Sequence, residues 1–476
     1  MSRRVLMVAY NFPPIGGVGM LRSLKYATYL PESGWEPVVL TARDPSGFRD
    51  EEALAALPPT LRVERAFSPE PAKVRRVLGR TARAVLGAAR AARSGGPAAR
   101  ALATGASAPG ASLPGAMASP ATAAQADPGW QKQAASLWAA AVKATCYPDD
   151  EVGWVPFAIA RGLEVNGREP IDVVYSSSPP VSCHLAAAVI ARRTGLPWVA
   201  DFRDPWIGNA FAGEPSGIHS FLRRKIERRI VDSATRVVFA SDGLTEAYAD
   251  RYPWARDRFL TIPNGYDRAD LLGAATPPPT GAADGRFHLV YGGSLYGDRE
   301  LELFLEGVEL LVARRPRVRD ELAVEFVGWL NLHNQAVAAR FDTADRLGGM
   351  LTFAGFVPHR EAVGRLAHAD ALLQIIADDP NKGRIQGGKL MEYVGLDRQI
   401  LAVVPPGRAR ELLAELDWGI VADPTPAAVA DGLERLLVTP APGRRADPDG
   451  RYDRANLTKR FAWLLDEVAG GSELRG

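Results

Sequence analysis

Cysteine is nearly absent from this chain: two residues in 476, Cys146 and Cys183. Two cysteines make no disulfide framework, which excludes the small stapled secreted folds and points to a reducing compartment, the cytoplasm. Six scattered histidines give no zinc-ligand spacing. An excess of one charge is lacking too. With 57 Lys and Arg against 55 Asp and Glu, the net charge is +2, too little for a global field that gathers nucleic acid. No run of 18 apolar residues occurs, so no membrane-spanning helix is expected. The basic-then-apolar opening "MSRRVLMVAY" is too brief for a signal peptide and reads as a first strand. No G-x-S-x-G elbow offers a serine nucleophile.

What is present is a rhythm. At roughly 100–200 residues per domain, the length gives two or three domains, and 47% apolar residues suffice for ordinary cores. Val-rich runs alternate with helical stretches: "RVLMVAY", a helix near Leu21–Leu30, "EPVVLTA", "DVVYSSS", a helix over Ser182–Thr194, "PWVADFR", a helix near Leu222–Asp232 and "TRVVFAS". A second series follows the Pro/Gly-rich linker Thr276–Gly285: "FHLVYGGS", a helix near Glu300–Ala313, "LAVEFVG", "LTFAGF", "ADALLQII", "QILAVV" and "GIVA". The β-α-β order predicts parallel sheets covered on both faces. Two such series predict two lobes with a cleft, ligands sitting at the carboxyl ends of the strands.

Residues 72–131 break the rhythm. Ser94–Asp127 is rich in Ala, Gly, Ser and Pro with almost no large apolar residues, a composition that predicts weak order. Before it, Lys73–Arg93 carries seven basic residues and no acid. Val74, Val77, Leu78, Val85, Leu86 and Ala89 fall on one side of a helical wheel, with Arg76, Arg80, Arg83 and Arg90 on the other. Such a helix suits an anionic membrane surface; the plain alternative is a solvated helix packed on the lobe.

Four segments sit where a strand ends. The first is the turn carrying Gly16 and Gly17, where backbone N–H groups and a helix dipole favour an anion. It is a poor dinucleotide fingerprint, since Arg22 stands where the last glycine belongs, so a nicotinamide dehydrogenase is disfavoured. In the second, "VADFRDPW", Asp201, Arg203 and Asp204 read either as a structural ion pair or as cleft groups, and loop residues at strand ends favour the cleft. The third, "TIPNGYD", carries the turn dipeptide Asn264-Gly265, by itself only a turn. The fourth is "GRIQGGKLMEYVG". Glycines lead into a helix whose first turn carries Lys389, with Glu392 three residues later on the same face. A lysine beside a helix N-terminus suits a diphosphate, and a carboxylate one turn on suits a vicinal diol such as ribose. The plain alternative is an exposed Lys–Glu pair. "DPD", Asp447–Asp449, in a Pro/Gly loop, reads as solvated.

Taken in this order, the four segments resemble the family-4 glycosyltransferases of the GT-B fold over nearly the whole chain. "NFPPIGGVGMLRSLKYATYLPESGWEPVVLTA" is similar to that family's first βαβ unit, "TIPNGYD" to the end of its N-terminal lobe, "LVYGGSLYGDRE" to the opening of its donor lobe and "GGKLMEYVGLDRQILAV" to its nucleotide-binding helix. "PDDEVGWVPFA" and "DFRDPW" look like a subgroup used in cell-surface polysaccharide assembly. The resemblance implies an α/β GT-B architecture: an acceptor-side lobe over 1–272 (with the insertion at about 72–131), a donor lobe over 273–455 and a C-terminal helix over 456–476 returning to the first lobe.

It also implies a retaining transferase that needs no metal or other cofactor. Gly16 and Gly17 would touch the donor phosphates, Lys389 beside Gly388 would neutralise them with Arg299, and Glu392 would hold the ribose. Two departures stand out. Many members carry a Glu where this chain has Arg384, and a His where it offers Arg203 or Asp204. Arg203, Asp204 and Lys389 are the catalytic candidates. The implied partners are a nucleotide-diphosphate sugar and a hydroxyl acceptor, lipid-linked if the basic helix at 73–93 meets the inner face of the membrane; no nucleic acid is implied. Two rivals remain: a nucleotide-sugar epimerase on the same fold, and a catalytically weak sugar-nucleotide binder in an assembly complex.

Overall fold

Strand β1 (Arg3–Val8) shows how both lobes are made. Leu6 and Val8 face one buried cluster, while Val5 and Met7 face another. The period of two thus puts consecutive side chains into separate layers, and the apolar run Val5–Val8 is buried on both faces. In the computed structural model, β1 lies in a seven-stranded parallel sheet with β2 (Trp35–Arg43), β3 (Arg62–Phe67), β4 (Val173–Ser178), β5 (Trp198–Phe202), β6 (Arg236–Phe239) and β7 (Phe259–Thr261), in the order β3-β2-β1-β4-β5-β6-β7. A second, six-stranded parallel sheet follows: β8 (Phe287–Gly292), β9 (Leu322–Val327), β10 (Leu351–Gly355), β11 (Ala371–Ile375), β12 (Gln399–Val403) and β13 (Ile420–Ala422), in the order β10-β9-β8-β11-β12-β13.

The structure describes residues 3–43, 45, 49–69, 147–208, 217–273, 284–295, 300–376, 388–439 and 443–473. Arg299, Arg384, the basic stretch 73–93, the whole insertion at 72–131 and most of the linker at 276–285 lie outside these residues.

Each sheet reverses its strand order once, between β1 and β4 and between β8 and β11. A crevice opens at such a reversal. The Gly16-Gly17 turn follows β1, and the Gly292-Gly293 turn follows β8, so both glycine turns stand at switch points.

Six helices position the site: α1 (Val18–Tyr29), α2 (Ser182–Thr194), α3 (Gly217–Ser233), α4 (Glu300–Arg314), α5 (Gly388–Gly395) and α6 (Arg454–Glu473). The last returns to the N-terminal lobe. Its Leu457, Phe461, Leu464, Leu465 and Val468 bury against Val5, Met7, Val39 and Val173, closing one face of the first sheet. Phe461 stacks on Tyr26 of α1 at 4.4 Å between ring centres.

The lobes are strapped together where the chain crosses. Tyr266 and Asp453 form a parallel bridge. The Tyr266 N–H donates to the Tyr452 carbonyl (3.1 Å), and the Arg454 N–H to the Tyr266 carbonyl (2.8 Å). Here two expectations are corrected. Gly265 does more than turn the chain, because a Cβ there would overlap the Tyr452 carbonyl oxygen. Asp447 is buried rather than solvated, accepting from the Tyr266 hydroxyl at 3.0 Å and the Tyr452 N–H at 2.8 Å.

The Asp201 carboxylate is buried at the end of β5. Its partner is Arg22 on α1, at 2.7 Å (Nε to Oδ2) and 3.1 Å (Nη2 to Oδ1). Asp201 is therefore a structural ion-pair partner and not a cleft group. Removing one charge of a buried pair strands the other, at about 3–5 kcal/mol. Asp201→Asn is expected to lose stability of that order in urea unfolding at pH 7; a loss below about 1 kcal/mol, the worth of an exposed pair, would contradict this burial.

Candidate functional site

The opening turn is held from below. Phe12 and Ile15 are buried, the Arg65 guanidinium donates to the Pro13 carbonyl at 2.7 Å and the Asp50 N–H to the Pro14 carbonyl at 2.8 Å. Gly16 and Gly17 stand above these anchors, Gly17 exposed with φ at +96°, a backbone that side chains disfavour. No side chain caps α1 and no acid occupies its first turn. Its leading N–H groups and positive dipole end thus face the crevice.

Arg203 braces this turn. Its Nε donates to the Ser178 carbonyl at 3.1 Å, Nη1 to Gly19 and Nη2 to Pro179. The guanidinium ties α1 to the loop after β4 through backbone carbonyls. Asp204 is exposed and makes no hydrogen bond among the described residues. Behind them, His184 is buried with its Nδ1 2.8 Å from the Ser176 hydroxyl. Burial, reinforced by Arg203, pushes this imidazole down to about 3, so it stays neutral.

On the second lobe, α5 carries Gly388, Lys389 and Glu392. The Lys389 amine donates to the Tyr291 hydroxyl at 2.8 Å and the Ser294 carbonyl at 3.2 Å, and lies 4.5 Å from the Tyr291 ring centre. Glycine at 293, with φ at +113°, makes this possible, since a Cβ there would collide with the lysine's own Cε and Nζ. The amine forms no ion pair among the described residues. Burial pushes it down to about 8, with Glu300 and Glu392 pulling the other way.

Glu392 is half-buried and forms no hydrogen bond through its side chain among the described residues. Burial raises its carboxyl, while His359, Arg454 and Lys389 draw it back. Arg454, the first residue of α6, went unnoticed in the sequence. Burial and then Arg22 work against its charge, and Glu392, Tyr26 and Asp267 support it. The fold thus brings Lys389, Glu392 and Arg454 into one electrostatic neighbourhood. Gly16, Gly17, Arg203 and Asp204 belong to the other lobe's crevice. Arg299 lies outside the described residues. Among the described residues, no group of three His, Cys, Asp or Glu could hold a metal ion.

The Lys389 value sets a pH dependence. Between about 8 in the folded protein and about 10.4 in an unfolded chain, the unfolded state binds more protons, so this group's contribution to stability rises with pH across that window. The unfolding free energy of the wild type relative to Lys389→Met is expected to climb from pH 8 to pH 10. A difference flat over that range would mean an unshifted amine.

Comparison with known proteins fits this geometry. Residues 82–265 match the model of a glycosyl transferase 4-like domain. A glycosyltransferase from Rickettsia africae has a similar structure, with TM-score 0.58 and 11% identity over 98% of both chains. HepE from Anabaena, solved with UDP and glucose, gives 0.55 and 14% over 98% of this chain and 100% of that one. Sucrose-phosphate synthase from Thermosynechococcus elongatus gives 0.52 and 12% over 99% and 98%. No curated protein sequence matches. Residues 82–265 thus carry a glycosyl transferase 4-like domain, and the two parallel-sheet lobes share the fold of these glycosyltransferase structures.

Proposed function

We propose that this enzyme moves a sugar from a nucleotide-diphosphate donor to a hydroxyl acceptor, with retention at the anomeric carbon and without a metal. The observation that carries the reading is the Lys389 amine: a desolvated cation with no carboxylate bound to it among the described residues, in the first turn of α5 at a switch point. A cation so held has unspent capacity for an anion. As the bond from the anomeric carbon to the diphosphate breaks, charge grows on the leaving oxygen. Lys389 and the N-terminal backbone of α5 stabilise that charge, Arg299 adding to it. Glu392 accepts hydrogen bonds from the ribose diol. Gly16 and Gly17 meet the diphosphate from the opposite lobe, with Arg203 fixing the position of their turn and Asp204 facing the sugar or acceptor hydroxyl. Closure of the lobes excludes the water that would otherwise hydrolyse the donor. The UDP in the HepE structures supports UDP as the first nucleotide to test. The acceptor reading is a lipid-linked hydroxyl at the cytoplasmic leaflet, in polysaccharide or glycolipid assembly.

Calorimetric titration with UDP, GDP and ADP tests the donor site. One nucleotide is expected to bind the wild type. Lys389→Ala and Glu392→Ala should each weaken it by about 10–100-fold, the worth of one charge-assisted hydrogen bond. A wild type that binds none of the three would overturn the donor reading, and so would unchanged affinity in both variants.

A further inference from the structure

A groove of about 470 Å³ opens on the N-terminal lobe between α2 and α3. Trp198, the first residue of β5, lies in its wall, which puts the groove at the amino end of the sheet, opposite the crevice. The walls are apolar: Leu185 and Ala188 from α2, Ile226 from α3, and Trp198. Two exposed arginines, Arg192 and Arg229, also line it. Neither forms an ion pair among the described residues, and neither do Arg193 and Lys225.

The groove continues into an exposed stripe of α3. Ile218, Phe221, Arg224, Lys225, Arg228 and Arg229 recur at helical spacing, all of them exposed. Ile218 is 63% and Phe221 54% exposed, large values for side chains of this kind on a helix. The acid on this stripe, Asp232, is already engaged, 3.5 Å from Arg228 and accepting the Trp254 indole N–H at 2.9 Å. Trp254 is itself 55% exposed, under the Arg228 guanidinium at 4.8 Å. Glu227 is buried and held by Arg251, Tyr248 and Tyr252. The face therefore combines arginines and a lysine, Arg192, Arg193, Lys225 and Arg229, that form no ion pair among the described residues, exposed apolar and aromatic side chains, and an apolar-walled groove with arginines at it. Base alone would suit any polyanion. Apolar side chains interleaved with base suit the interface of an anionic bilayer, where phosphates lie directly above acyl chains.

We propose that α2 and α3 form a docking face for an anionic bilayer. Arg192 and Arg229 take lipid phosphate, the groove takes one acyl chain, and Ile218, Phe221 and Trp254 enter the interface. This surface is distinct from the basic stretch at 73–93. It also does not depend on the donor reading, since Lys389 and Glu392 belong to the other lobe. Docking here turns the crevice away from the bilayer, so the proposal serves an acceptor reached from solution and competes with the lipid-linked acceptor reading.

Co-sedimentation of the full chain with vesicles tests it, one set of phosphatidylcholine alone and one containing 30% phosphatidylglycerol. The wild type should bind the anionic vesicles, and 0.5 M NaCl should release it. The triple variant Arg192→Glu/Lys225→Glu/Arg229→Glu should lose at least about tenfold in partition, each basic residue near such a surface being worth about 1 kcal/mol. Arg317→Glu/Arg435→Glu, exposed on the other lobe, should bind as the wild type does. Phe221→Ser, which leaves the charge intact, should also weaken partition. Equal binding to both vesicle types would overturn the proposal. So would a triple variant that partitions like the wild type, the result expected if residues 73–93 alone carried the attraction. Thermal melts of each variant separate lost binding from lost fold, and nucleotide titration reports the donor site independently.

Discussion

The bidentate pair between Arg22 and Asp201 holds the N-terminal half of the cleft in place. It joins α1 to the end of β5, and the remaining guanidinium nitrogen, Nη1, donates to the Pro263 carbonyl at 3.1 Å. Tyr175 of β4 donates to the same carboxylate at 2.6 Å. Four segments distant in sequence thus meet at one buried charge pair. Burial of such a pair is costly unless its remaining valences are met, and here they are. Burial works against the Arg22 charge, yet Asp201 raises it above the ordinary range. The consequence for function is positional. The glycine turn is the leader of α1, so whatever fixes α1 fixes the backbone that faces the crevice.

α1 extends the same device toward the crossing between lobes. Arg22, Lys25, Tyr26 and Tyr29 share a face by their spacing. Lys25 reaches Asp267 at 2.9 Å and Asp270 at 2.7 Å, and the Tyr29 hydroxyl donates to Asp267 at 2.9 Å. Residue 266, beside this acid, carries the bridge to Asp453 and the start of α6. The charge of Arg454, at the start of α6, is opposed by Arg22 of one lobe and supported by Glu392 of the other. One chain of polar contacts links α1, and with it the glycine turn, to the crossing between the lobes. Movement of one lobe on the other must strain or re-form it.

Much of this architecture was legible in the sequence, and what was not has a common cause. The strands were visible because burial on both faces leaves uninterrupted Val-rich runs, as in "DVVYSSS". The helix over Ser182–Thr194 was visible to its last residue because Gly195 stops it in the left-handed conformation. Arg22, by contrast, read as a failed glycine, because its partner lies 179 residues away. Gly265 read as a turn because its reason is the Tyr452 carbonyl, far along the chain. Asp447 sits in a Pro/Gly segment, and local composition pointed to water while tertiary contacts buried it. Local chemistry writes itself into nearby residues. Long-range pairing leaves single residues that look ordinary.

The two lobes present an anion with different physics. At its glycine turn the N-terminal lobe offers backbone: an uncapped helix behind a glycine in positive φ, with the Arg203 guanidinium already spent on backbone carbonyls. Such a surface is fixed and carries only partial charge. The C-terminal lobe offers a whole charge, and glycines build its seat. The Gly293 N–H donates to Val327 at 2.6 Å, the Gly328 N–H to Gly355 at 2.8 Å, and a Cβ on Gly328 would strike the Gly293 backbone. The ends of β8, β9 and β10 therefore close up to a spacing no side chain would tolerate, and Lys389 lies over them against Tyr291. A lysine desolvated in that way gains most from an incoming anion, because its charge meets little water to compete with. In the function proposed above, the half that carries full charge would hold the anion, and the half that carries dipoles would align it.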